Sequence, residues 1–173
     1  YKVREKREMG TNPYPNVIYF TPEDDFLITK TIAEIVKEDQ IKLLAYNICG
    51  DHMHLLLACE LEEVPQLMQK IKSITAKKVN DTTRGHDPLD KSNKPLWQQK
   101  YSAPKEVTSQ EQLQNTLDYI QSNRSKHELP PHSKETSKLI NNMCCSPDEA
   151  FVPVYKGGFD VVIGNPPYLG GRD

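Results

Sequence analysis

Apolar residues recur along this chain with two different periods, and the changes of period mark its elements. Thr21-Pro22-Glu23-Asp24 supplies a hydroxyl cap, a proline for the first turn and acids for the positive end of a helix dipole. Phe26, Leu27, Ile28, Ile32, Ile35 and Val36 then follow at helical spacing. Lys42 to Cys49 and His52 to Cys59 read as strands, and Gly50-Asp51 between them is a turn signal, so the pair predicts a hairpin. Val17 to Phe20 reads as a short strand before the first helix, after a charged, then Pro/Asn-rich lead-in over 1–16. A second helix is predicted from about Glu63 to Asn80, with Val64, Leu67, Met68, Ile71, Ile74 and Val79 largely on one face and Lys70, Lys72, Lys77 and Lys78 on the remainder. After an aperiodic loop over 81–95, Leu96 to Ser102 resumes strand character.

A third helix is predicted from about Ser109 to His127, opened by a capping box of Ser109 and Gln112. At about 100° per residue, Leu113, Leu117 and Ile120 cluster within about 60° and form its buried stripe. Tyr119 lies about 120° or more from that stripe, among Gln112, Asn115 and Asn123, with Asn123 one turn further on, where two side chains can meet. A tyrosine that merely filled core would sit with the leucines; an exposed ring resting on a neighbour is the other reading. After Pro130-Pro131 a short helix is predicted from Lys134 to Cys144, inside a linker over 131–158. Phe159 to Ile163, apolar but for Asp160, reads as a run of the buried parallel-strand type, ending in Gly164-Asn165-Pro166-Pro167-Tyr168.

Composition narrows the class. A length of 173 residues suits one domain, with room for a fragment of a second, and 36% apolar against 27% charged residues allows a modest core. No apolar run approaches the ~20 residues of a bilayer span, so no membrane partner and a cytoplasmic location are expected. That the chain opens on Tyr1 points to an excerpt from a longer protein. A net charge of −2 decides nothing about nucleic acid, since a local patch binds phosphate on a neutral protein. The four cysteines, Cys49, Cys59, Cys144 and Cys145, form no CxxC pair and read as reduced thiols.

The chemistry concentrates at His52-Met53-His54. Residues two apart on a strand share a face, so both imidazoles point one way and form half of a divalent-metal site. Two half-buried histidines with local hydrogen bonds would give the same pattern.

Three motifs in order, Gly50-Asp51-His52-Met53-His54-Leu55-Leu56-Leu57, then Leu96-Trp97 with Tyr101, then Leu117-Asp118-Tyr119-Ile120-Gln121-Ser122-Asn123, resemble the HUH single-strand endonucleases. The closest likeness is to the single-tyrosine transposases of the insertion-sequence and REP-associated kind, over roughly residues 10–130. The resemblance implies an α+β fold, an antiparallel sheet with helices packed on it related to the ferredoxin-like layout, over 17–130. It implies His52 and His54 as ligands of Mg2+ or Mn2+, Asn123 as the third metal-site residue and Tyr119 as nucleophile. Asp51, where many relatives carry a short polar residue, orients His52 as an outer carboxylate or caps the turn. The implied partner is single-stranded or hairpin DNA, with Lys70, Lys72, Lys77 and Lys78 as candidate phosphate contacts and a homodimer as a possible assembly. The implied activity is metal-dependent strand cleavage and transfer through a covalent phosphotyrosine.

The tail resembles a different family, the adenine-specific DNA methyltransferases of restriction-modification systems. There, residues matching Asn165 and Pro166 hold the amine of a flipped adenine, and the one matching Tyr168 stacks on it. Residues 159–173 would be a short C-terminal fragment of an α/β methyltransferase, without the glycine-rich loop for S-adenosylmethionine, a cofactor only a longer protein would use. The alternative reading that follows is a DNA-binding targeting module of a fused methyltransferase or restriction enzyme, without cleavage activity of its own.

Overall fold

The capping chemistry at Thr21 does what its residue types dictate. In a computed structural model describing residues 18–84, 95–97, 103–146 and 158–164, helix α1 runs Pro22–Glu38. Thr21 Oγ1 accepts the Asp24 N–H at 3.1 Å, and Asp24 Oδ2 accepts the Thr21 N–H at 3.0 Å. Strands β1 (Leu43–Cys49) and β2 (His52–Ala58) form the expected hairpin, antiparallel, with Asn47 opposite His54 and Cys49 opposite His52. Gly50, the first of the two turn residues, has φ of 69°, which a residue with a Cβ adopts only at a cost.

Helix α2 runs Val64–Val79 and continues into a π-helical turn, Asn80–Arg84. Strand β3 is Lys105–Val107, helix α3 Gln110–Gln121, a short helix α4 Asn123–Lys126, helix α5 Lys134–Met143, and strand β4 Gly158–Gly164. The sheet order is β1-β2-β4-β3, with every neighbouring pair antiparallel. The architecture is thus mixed helix and antiparallel sheet.

Strand alternation divides the core into two layers. Met53, Leu55 and Leu57 face one way and pack with Ile28, Ile32 and Ile35 of α1 and with Val64, Met68 and Ile71 of α2, joined by Ile140 and Met143 of α5. Leu56 faces the other way and packs with Leu44, Ala45, Val107, and Leu113 and Ile120 of α3.

Three expectations are corrected. The run through Phe159–Ile163 is a strand, but it pairs antiparallel with both β2 and β3 instead of in parallel. Residues 18–20 are not a strand: Phe20 instead donates its N–H to Gly50 C=O at 2.6 Å and packs edge-on against Trp97, ring centres 5.3 Å apart. Leu96 and Trp97 form a bend, and 98–102 lie outside the described residues, as do Asn165, Pro166 and Tyr168. All four cysteines are free. Among the described residues, no helix is long and apolar enough to cross a membrane.

Candidate active site

His52 and His54 emerge on the α3 side of β2, one alternation along from Leu56, where the core of that layer ends. Their rings are 4% exposed each and lie edge-on, centres 5.2 Å apart. The helix bearing Tyr119 is tied to the same strands. Asn47, opposite His54 in the hairpin and on its face, donates Nδ2–H to the Ile120 carbonyl at 2.9 Å, one of the last carbonyls of α3. His132 in turn donates Nε2–H to Asn47 Oδ1 at 2.8 Å.

Helix α3 begins as expected at Ser109, whose hydroxyl accepts the Gln112 N–H at 3.1 Å. The reciprocal half of the predicted capping box is displaced by one residue, because Gln112 Oε1 accepts from the Thr108 N–H at 2.8 Å. The helix ends sooner than the predicted His127. At Ser122, with φ −90° and ψ 1°, the chain leaves the α conformation, and the Ser122 hydroxyl bonds back to the Asp118 carbonyl at 2.8 Å. The break separates two side chains that a straight helix would leave side by side. Tyr119 stays 40% exposed, its ring edge-on to His54 with centres 5.4 Å apart, while Asn123 turns fully inward beneath His52.

The polar geometry suits a cation. Asp51, fully buried, lies with Oδ1 2.6 Å from His52 Nδ1 and accepts its proton, which leaves the Nε2 lone pair outward. Asn123 Oδ1 is 3.2 Å from that Nε2, so two lone pairs converge on one point. Asn123 Nδ2 and His54 Nδ1 are buried and hydrogen-bonded to nothing among the described residues. A half-turn of the amide would instead donate Nδ2–H to Nε2. Among the described residues no group of three His, Cys, Asp or Glu side chains is placed to hold a metal.

Burial favours the neutral imidazole, the form that ligates metal, at His54 and His127. Burial, then the charges of His52, His127, Lys126 and Lys105, push the His54 pKa down to about 3. His127, which the sequence reading left without a role, is 7% exposed with its ring 5.0 Å from that of His52. Burial and the charge of His52 push its pKa down to about 4. Its spacing was the available signal: four residues beyond Asn123, its N–H bonds back to the Asn123 carbonyl. Lys126 was also missed, and its Nζ sits 4.6 Å over the centre of the Tyr119 ring.

The structure therefore brings together His52, His54, Asp51, Asn123 and Tyr119 within one chain. It does not bring the four lysines of α2 to them. That helix packs on the Met53/Leu55/Leu57 side of the sheet, opposite the histidines. Lys70 pairs with Asp39 at 2.7 Å and Lys77 with Asp81 at 3.0 Å. Lys72 is partly buried, which lowers its pKa, and Lys78 is exposed.

Fold and site together define an α+β domain with a buried imidazole–amide cluster against a surface tyrosine. The family described as "Transposase IS200 like" matches residues 16–123, from before α1 through Asn123, and the chain belongs to that family. A transposase-type function acting on DNA follows from that membership. No curated protein and no solved structure matches the chain. The methyltransferase resemblance of the tail gains no support from the family match, which ends before it.

Proposed function

We propose that this protein is a metal-dependent, single-tyrosine DNA strand transferase acting on single-stranded or hairpin DNA. The observation that carries the proposal is the contact of the Tyr119 ring with His54, beside the point where His52 Nε2 and Asn123 Oδ1 converge. Tyr119 Oη attacks a backbone phosphorus, its proton is released, and the P–O bond to one deoxyribose oxygen breaks. The enzyme then holds one strand end as a phosphotyrosine ester. A phenol, with a reference pKa near ~10, leaves readily when a hydroxyl of another strand attacks that ester, so the bond energy is conserved for rejoining. His52, His54 and Asn123 would hold Mg2+ or Mn2+, and Asp51 fixes the His52 tautomer for it. When bound, the ion neutralises non-bridging phosphate oxygens and the departing oxygen.

The test is a denaturing gel-shift assay with pooled random-sequence single strands and hairpins in Mn2+. A covalent protein–DNA adduct is expected from the wild type and should vanish in Tyr119→Phe. An adduct that persists in the variant refutes the nucleophile. DNA binding with no adduct under any divalent metal would instead support the targeting-module reading.

A further inference from the structure

We infer that Lys126 is the phosphate-binding residue of this site, taking a non-bridging oxygen of the phosphate that Tyr119 attacks. The inference rests on the strand-transfer reading, and the contact it names lies outside the family match, which stops at Asn123. Lys126 is exposed and its Nζ is held 4.6 Å over the ring that bears the nucleophile. No carboxylate among the described residues pairs with it; the nearest acid in sequence to the tyrosine, Asp118, is taken by Gln114 Nε2 at 2.9 Å. A cation over an exposed aromatic face is weakly held, whereas an ammonium on a phosphate oxygen makes a charge-assisted hydrogen bond. A flexible four-carbon stem lets the same group leave the ring for the phosphate.

The base of that stem is fixed. Lys126 belongs to α4, whose Asn123 is buried against His52, as is the cap residue His127, and whose Arg124 donates to Ile48 C=O at 2.9 Å and to Pro130 C=O at 2.8 Å. Lys105 lies on the same side: it stands opposite Asp160, which stands opposite Leu56, so its register places it on the histidine face. The lysines of α2 lie on the other layer, two of them already ion-paired.

Two measurements on the full chain test this. Binding of a pooled random-sequence single strand, followed by fluorescence anisotropy against salt, should lose about 0.7 from the slope of log K against log salt in Lys126→Gln, the loss of one phosphate contact. Adduct formation in Mn2+ should fall about tenfold or more in Lys126→Gln and be largely restored in Lys126→Arg. Lys30→Gln, on α1 at the far layer, should leave both unchanged, and matching thermal midpoints verify folding. A wild-type slope in Lys126→Gln overturns the inference whether or not adducts form. So does a slope that falls only when the α2 lysines are replaced. Absence of adduct in the wild type would sink the strand-transfer reading alone, since the salt slope still decides Lys126.

Discussion

Replacing Arg124 by methionine should destabilise the protein by about 3 kcal/mol, a large share of the ~5–15 kcal/mol that holds a domain of this size. The guanidinium is 12% exposed and lies 3.3 Å from Asp25 Oδ2, whose side chain is 9% exposed. It also donates to the carbonyls of Ile48 and Pro130. Methionine keeps the stem and removes the charge, so the Asp25 carboxylate stays in place with its counter-ion gone. Breaking a buried pair in that way costs about 3–5 kcal/mol. The lower end applies here because Asp25 stands in the first turn of α1, where the helix dipole favours a negative charge. The carbonyl bonds overlap with this cost, since one Nη1 serves both Asp25 and Ile48. Urea unfolding in chelator should show a lower midpoint at unchanged slope. Asp25→Asn should cost less in the Arg124→Met background than alone, because the charge it removes has by then lost the guanidinium, with a coupling of about 1 kcal/mol or more. A loss below about 1 kcal/mol, or strict additivity of the two substitutions, would refute the reasoning.

Asp51→Asn removes the carboxylate that fixes the His52 tautomer at 2.6 Å, and Mn2+ affinity by calorimetry should fall about 10–100-fold; unchanged affinity would reduce Asp51 to a turn cap. Stability without metal should also depend on pH. Burial holds the folded pKa values of His54, about 3, and His127, about 4, below the ordinary imidazole value of 6.5, so the unfolded chain binds more protons in acid. Stability is then level above about pH 7 and falls as pH drops through about 6.5, by on the order of 2 kcal/mol per histidine at pH 5. Denaturant midpoints that stay constant from pH 7 to about 5 would show that these imidazoles are charged in the fold.

Much of this arrangement was legible in residue order. The Gly50-Asp51 turn sets the hairpin register, and strand alternation then places His52 and His54 on one face and Met53 on the other. That same register puts Asn47 opposite His54, yet its reach to the α3 carbonyls depends on how the helix packs. The break at Ser122 was hidden because a helical period runs on through Asn123 to His127. A tertiary bond from Asn47 to Ile120, with a local one from Ser122 to Asp118, decides where that helix ends. An amphipathic pattern shows that the α2 lysines face away from core, but not on which side of the sheet the helix lies. A run over 159–163 that is apolar but for Asp160 fits a strand of either direction, and β4 is an interior strand of an antiparallel sheet, so composition could not choose its direction.

Strand β1, which positions Asn47, is also an edge of the sheet among the described residues, and one set of bonds serves both needs. Among those residues its strand partner is β2, and an unpaired edge invites association with other chains. Here two of its carbonyls are taken within the chain: Ile48 by Arg124 and Leu43 by the Cys145 N–H at 2.8 Å. The segment that covers the edge, from Asn123 onward, is the one that inserts the amide beneath His52 and sets Lys126 over Tyr119. Covering the edge and composing the site are therefore coupled. A change that frees residues 124–145 from β1 disturbs Asn123 and Lys126 first, because α4 is attached to the sheet by Arg124 on one side and by the buried His127 on the other. Tyr119, anchored separately through Asn47 and Ile120, would keep its place against His54 while losing the groups that make its hydroxyl useful.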